Sequence, residues 1–255
     1  MNTVFNSKLA EGYTSKSQKV RVMSESWTAE NIFCPNCGNS IENLENNKKV
    51  SDFLCKKCFE NFEQKASQKK FKGKVISSDY ATIVRKLNTI EKPHFFFLRY
   101  IASNYFVEDF FVVPKYFFVP EIIEKRKALS KTVRRAGYVG SYILFSKIPD
   151  SGKIYYRENG IEISKKDILE KWQKTTFLKT IKKSETRGWI LDIMNCLELL
   201  DKQEFSLSDV YVFEYDLKKL HPENNNIQAK IRQQLQFLRD KNYLKFSGKG
   251  KYRLT

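Results

Sequence analysis

Four of the five cysteines fall in two Cys-x-x-Cys pairs, Cys34 with Cys37 and Cys55 with Cys58, separated by seventeen residues. That spacing lies in the range of structural zinc sites, in which two short turns each present a pair of thiolates. Four thiolates complete a tetrahedron with bonds of about 2.3 Å and leave no open position for catalysis. Cys34, Cys37, Cys55 and Cys58 are therefore the candidate Zn2+ ligands, and the metal would clamp the tip of a hairpin; the alternative is four structural thiols without metal. The N-terminal MNTVFNSKLAEGY has no apolar core of an export signal, so the chain reads as cytoplasmic, where thiols stay reduced. Cys196, among Ile193, Met194, Leu197 and Leu200 on a helical pattern, reads as a small core side chain.

Around this staple the chain is strongly basic. Lys and Arg number 46 against 29 Asp and Glu, a net charge of +17, which attracts polyanions. Nucleic acid fits better than membrane, because the most apolar stretch, residues 94–120, is broken by Arg99, Glu108, Asp109, Pro114 and Lys115. The charge is uneven: residues 184–255 hold 12 basic and 10 acidic side chains, leaving 34 and 19 for residues 1–183.

The two segments also differ in pattern, which predicts a domain over 1–183 and another over 184–255. The first has a helical pattern at 16–31 and aromatic, β-branched runs at 94–101 and 106–113 that read as strands. Asn159-Gly160 between KIYYR and IEI signals a hairpin, and Ser164 with Asp167 signals the start of a helix running to about Lys183. The Lys-rich KKFKGK at 69–74 reads as a mobile loop. This is a mixed α/β pattern. The second segment predicts helices at 186–199, from a Ser206 cap to Leu220, and at 226–239, then strands YLKF and KYRL joined by SGKG. Three helices and a two-stranded wing are the order of a winged helix-turn-helix.

Asp52 stands three residues before Cys55, and Glu63-Gln64-Lys65 begins five after Cys58. Residues two apart in a strand share a face, so Glu63 and Lys65 project together, and Asp52 can join them from a paired strand. Two carboxylates and a lysine at one point suit phosphodiester hydrolysis: Asp52, Glu63 and the Gln64 carbonyl would hold Mg2+, while Lys65 orients or activates the attacking water. Read alone, an E-x-K triplet in a Lys-rich chain is also an ordinary solvated strand face. Glu25, on the early helix, reads as a solvated position, with an extra carboxylate near the metal as the alternative. His94 and His221 have no Cys, Ser or Asp partner readable in the sequence.

On the third helix of the second domain, Ile227, Ile231, Leu235 and Leu238 form one apolar face. The opposite face carries Asn226, Ala229 and Gln233 with Arg232, residue types that can bond adenine or meet an apolar groove group. Lys249 and Lys251 at the wing tip suit phosphate contacts. Residues 224–255 carry 8 basic and 1 acidic group, so the positive field belongs to this helix and wing. A further basic patch, KTVRRAGYVGS at 131–141, sets Arg134 and Arg135 before the glycine-flanked Tyr138.

The sequence resembles the DpnI-like methyl-directed restriction endonucleases along essentially its whole length. The resemblance rests on SQKVR, CPNCGN, ENN, the stretch from Asp52 through CKKC to FEQK, FFFL, RRAG, the RGW and NC elements at 187–196, IRQQLQFLRDK and GKGKYR. It implies a PD-(D/E)XK nuclease domain with an inserted zinc hairpin and a C-terminal winged helix that itself reads methylated DNA. The motif maps onto Asp52, Glu63 and Lys65, with Ser51 where the motif's name has Pro. The implied substrate is double-stranded DNA with N6-methyladenine in 5'-GATC-3', cut by Mg2+-dependent hydrolysis, with the protein expected as a monomer. An N6-methyl group needs an apolar wall beside an acceptor; Tyr138, where a family relative has Trp, is the candidate wall in the nuclease domain. Two other readings compete: a non-cleaving, zinc-containing methyl-DNA reader or regulator, and a repair-type structure-specific nuclease.

Overall fold

A computed structural model describes residues 1–44, 51–87, 92–130 and 132–255; the ENN element at 45–47 and Lys131 lie outside them. The chain is mixed α/β and divides into two compact units, residues 1–146 with 151–176, and residues 147–150 with 177–255.

In the first unit the elements run α1 (Lys16–Asn31), β1 (Glu42–Asn43), β2 (Phe53–Leu54), β3 (Asn61–Ser67), β4 (Lys74–Asp79), α2 (Tyr80–Leu87), β5 (His94–Ile101), β6 (Phe106–Val113), β7 (Ile123–Lys125), β8 (Gly140–Leu144), β9 (Ile154–Glu158), β10 (Ile161–Glu162) and α3 (Lys165–Thr175). Among the described residues one sheet has the order β1-β2-β3-β5-β6-β9-β10, and a second has β4-β8-β7. The pairing of β3 with β5 is parallel, with Glu63 opposite Phe95 and Lys65 opposite Phe97, whereas β2 meets β3 and β5 meets β6 antiparallel. A parallel neighbour requires a crossover, and β4 with α2 supplies it.

Strands β5 and β6 are buried on both faces, which is why they read as continuous aromatic and aliphatic runs and not as alternation. On one face Phe62, Phe96 and Phe110 pack with Met23 and Trp27 of α1 and with Ile168 and Trp172 of α3. On the other, Phe97 stacks on Phe111 at 5.2 Å, and Phe71 meets both rings and Phe145. The KKFKGK segment is thus pinned by its phenylalanine, because a ring within a lysine-rich stretch still gains from burial. The Asn159-Gly160 turn has φ of 47° and 81°, and Ser164 caps α3 by accepting the Asp167 N–H. Helix α3 ends at Thr175, with a 3-10 turn over Thr176–Thr180, short of the expected Lys183.

The second unit contains α4 (Ser184–Leu200), β11 (Glu204–Ser206), α5 (Leu207–Tyr211), α6 (Glu214–Leu220), α7 (Ile227–Asp240), β12 (Leu244–Gly248) and β13 (Lys251–Leu254). It is helical and helix-turn-helix-like. Ser206 and Asp209 form a reciprocal capping box, but the helix expected from Ser206 to Leu220 is broken between Tyr211 and Glu214 into α5 and α6. A third strand is added: Glu204–Ser206 pairs with β13, in the order β11-β13-β12. Three residues are too few to show a period, so the pairing was not readable in the sequence. Ile227, Ile231, Leu235 and Leu238 are buried and Asn226, Ala229, Arg232 and Gln233 are exposed, the two faces the periodicity requires. No described helix is long and apolar enough to cross a membrane.

Candidate active site and metal centre

The cysteines come together from two knuckles of the same build. Cys34 N–H donates to the Asn39 carbonyl and Gly38 N–H to the Cys34 carbonyl; Cys55 N–H donates to Glu60 and Phe59 N–H to Cys55. Their four sulfurs all lie within 4.8 Å of one another, with Cys34 to Cys58 at 3.4 Å and Cys37 to Cys55 at 3.5 Å. Ligands about 2.3 Å from a central tetrahedral zinc sit about 3.8 Å apart, so the cluster could bind zinc. Burial pushes the Cys34 and Cys55 thiols up. Burial acts the same way on Cys37, but hydrogen bonds from Asn39 and the neighbouring thiols outweigh it and hold Cys37 down at about 7. Cys34 and Cys55 are readily deprotonated only when a cation shares the sulfurs.

Beyond the second knuckle, β3 puts Glu63 and Lys65 on one face, with Lys65 Nζ 3.2 Å from Glu63 Oε1 and over the Phe95 ring. The Gln64 side chain points to the opposite face, where its Oε1 accepts from Thr28 Oγ1 of α1 at 2.6 Å. Only the backbone carbonyl of Gln64 is therefore available to a metal. Asp52 precedes β2 and is locked to β3 twice: its N–H donates to Phe62 O at 2.8 Å, and its Oδ2 accepts the Gln64 N–H at 2.7 Å. Burial raises the Asp52 carboxyl to about 6, with the charges of Glu25 and Glu63 adding to the effect and the Gln64 N–H bond and Arg21 opposing it. Oxygen donors alone, with under-compensated negative charge, suit a hard divalent cation such as Mg2+.

Glu25 thus belongs to this neighbourhood, contrary to its reading as a solvated helix position. It accepts from Arg21 Nε at 2.7 Å. Positions 21, 25 and 28 follow the i, i+4, i+7 period of one helix face, and Thr28 on that face already touches β3. The period was in the sequence; what was missing was which strand the face would meet.

His94 also has a partner that sequence reading lacked. It is fully buried at the start of β5; its Nδ1 accepts the Lys115 N–H at 3.0 Å and its Nε2 lies 2.8 Å from Glu60 Oε2. The backbone donor at Nδ1 fixes the neutral tautomer with the proton on Nε2. Lys115 Nζ reaches the same Glu60 oxygen at 3.0 Å. Burial alone would raise the Glu60 carboxyl, but these bonds and the ammonium charge hold it well below the usual range. The His94 ring lies 4.8 Å from Trp172, whose Nε1 donates to Asn36 within the first knuckle. In the second unit His221 likewise pairs with Asp192 at 2.8 Å and stacks on Trp189.

Arg134 and Arg135 are exposed on the loop between β7 and β8, on a different sheet from Asp52, Glu63 and Lys65. The loop closes where Leu129 N–H donates to Tyr138 O and Gly137 N–H to Leu129 O. Tyr138 is half-buried, with the Arg135 guanidinium 4.3 Å over its ring. On α7, Arg232 donates to the Tyr211 hydroxyl at 2.6 Å, and Lys249 and Lys251 are exposed around the β12–β13 turn.

The sequence model of the Dam-replacing family, DpnI, matches residues 1–181, and that of the Dam-replacing helix-turn-helix domain matches residues 185–254. The chain belongs to the Dam-replacing family. Membership in the DpnI family implies a methyl-dependent restriction nuclease with a DNA-binding helix-turn-helix domain. It adds a family context to the carboxylates of β2 and β3 and to the exposed face of α7.

Proposed function

We propose that the chain is a Mg2+-dependent restriction endonuclease of the PD-(D/E)XK kind that cleaves duplex DNA at 5'-GATC-3' carrying N6-methyladenine. Residues 1–183 form the nuclease domain and residues 184–255 a winged helix, and the protein acts as a monomer. The observation that carries the reading is the grouping of Asp52, Glu63 and Lys65 about β3 in a Dam-replacing chain.

Asp52, Glu63 and the Gln64 carbonyl would hold Mg2+, which when bound neutralises charge that builds on the phosphate. Lys65, already 3.2 Å from Glu63, holds and orients the attacking water on that face. The Gln64 N–H keeps Asp52 turned toward β3. Structural Zn2+ on Cys34, Cys37, Cys55 and Cys58 fixes the hairpin that carries these groups. Tyr138 supplies an apolar wall for the N6-methyl group, with Arg134 and Arg135 on phosphates beside it. In the winged helix, Asn226, Ala229 and Gln233 read the methylated adenine, while Arg232, Lys249 and Lys251 grip the backbone.

One digestion tests this. A single plasmid, prepared with and without adenine methylation at GATC, is incubated with purified protein in Mg2+ or in its absence. Cutting confined to the methylated plasmid with Mg2+ is expected. Methyl-selective binding without cutting would favour the non-cleaving reader, and cutting that follows junctions would favour the repair-type nuclease.

A further inference from the structure

The two zinc knuckles are equivalent in backbone but not in sequence. Each places the residue after its second cysteine in the left-handed region, with that residue's N–H donating to the carbonyl of the first cysteine at 2.8 Å. In the first knuckle the residue is Gly38, with φ of +74°, the residue type this conformation favours. In the second it is Phe59, with φ of +59°. A bulky side chain is an outlier there. Phe59 is also the most exposed large apolar side chain among the described residues, at 76%. Tyr105, the other aromatic residue at positive φ, packs on Phe5 and Tyr100. Phe59 has no aromatic partner among the described residues.

The strained backbone disfavours the folded state, and the exposed ring contributes nothing to offset it within the knuckle. Gly38 shows that the knuckle itself needs no side chain at this position. The ring therefore serves something outside the fold. Its surroundings say what kind of partner. Lys57, exposed on the same turn, presents positive charge, whereas Lys56 is paired with Glu42 at 2.5 Å and the nearest carboxylate in sequence, Glu60, is engaged by His94 and Lys115. Phe59 stands four residues before Glu63, at most about 14 Å of extended chain. That is less than half of one duplex turn of about 34 Å. An aromatic ring beside a lysine on a hydrogen-bonded turn suits contact with bases at a groove edge.

We propose that the second zinc knuckle is a DNA contact, with Phe59 packing on the bases of a step beside the cleavage site and Lys57 on the adjoining phosphate. The inference rests on the reading of duplex DNA as substrate and adds a contact that the catalytic and winged-helix residues do not supply.

The test is Phe59→Gly, which gives the second knuckle the residue that the first has at this position. Zinc content, thermal midpoint and DNA affinity are measured, the last on a short duplex with one methylated GATC, with Ca2+ replacing Mg2+ so that binding is read without cutting. The variant should keep its zinc and melt no lower than the parent, yet bind about tenfold more weakly, the loss expected for one aromatic contact to a base. Its slope of affinity against salt should be unchanged, because no phosphate contact is removed, whereas Lys57→Ala should reduce that slope by about one. Phe59→Tyr should restore affinity. Unchanged affinity in Phe59→Gly, or loss of its zinc, would overturn the proposal while leaving the nuclease reading intact. A parent protein that binds no duplex would overturn the nuclease reading itself.

Discussion

The carboxylate of Asp52 and the backbone N–H of Gln64 are joined at 2.7 Å, so an acidic side chain from the strand before the hairpin tip is held against the middle of β3. Burial there, with the charges of Glu25 and Glu63, raises the carboxyl from 3.8 to about 6 against the opposing effect of that bond and of Arg21. An ionised Asp52 in this position costs the fold stability.

Without added Mg2+, the penalty is absent below about pH 4, where Asp52 is protonated in both states, and is complete above about pH 6. Stability lost over that window is up to about 3 kcal/mol, from a shift of about two units at about 1.4 kcal/mol each. Asp52→Asn, whose amide oxygen can still accept the Gln64 N–H, should remove the loss and melt higher than the parent at pH 7 while losing cleavage. Thermal unfolding from pH 4 to 7 checks this; parallel curves for the two proteins would refute it.

Protons and metal compete for the same carboxylate. Cleavage at limiting Mg2+ should fall as pH drops through about 6, and raising Mg2+ should move the midpoint to lower pH. A midpoint indifferent to Mg2+ would exclude Asp52 as a ligand.

Lys65→Ala leaves the carboxylates and the helix-turn-helix domain untouched. Cleavage should drop by a factor of about 100 or more, as loss of a group acting on the attacking water does, with affinity for methylated duplex within a few-fold of the parent. Full cleavage by this variant would leave Lys65 a surface lysine and nothing more.

Cys34→Ser takes one sulfur from the four-cysteine cluster that could bind zinc. Because binding of metal and folding are linked, the variant should lose zinc, melt lower and lose cleavage together. Metal analysis alongside circular dichroism checks it; a zinc-free, folded and active variant would contradict the role given to the cluster.

Glu60 acts with the opposite sign to Asp52. Its lowered carboxyl contributes stability above its ordinary value of 4.5, lost as pH falls. His94→Ala would leave the Lys115 N–H without its acceptor and Glu60 with one partner fewer, and should destabilise by about 2–4 kcal/mol. Urea unfolding at pH 7 measures the change, and a loss under 1 kcal/mol would mean water replaces the imidazole.

Much of this architecture was legible because it is written in local periods. The helix at Lys16–Asn31, the strands at His94–Ile101 and Phe106–Val113, the Asn159-Gly160 turn and the two faces of α7 each follow from neighbours a few residues apart. The cysteine spacing belongs to the same class, since two short turns carry their own geometry. What sequence could not supply were pairings between distant segments. The bonds from Thr28 to Gln64, from Asn36 to Trp172 and from Glu60 to His94 join residues 36, 136 and 34 positions apart. So does the meeting of Glu204–Ser206 with β13, which turns a two-stranded wing into three strands. Sequence determined which residues could share a face, because side-chain direction repeats with the backbone. Tertiary structure alone decided which faces meet, because burial rewards any apolar contact and only the packed chain selects one; that choice brought Glu25 to Asp52 and left Phe59 facing solvent.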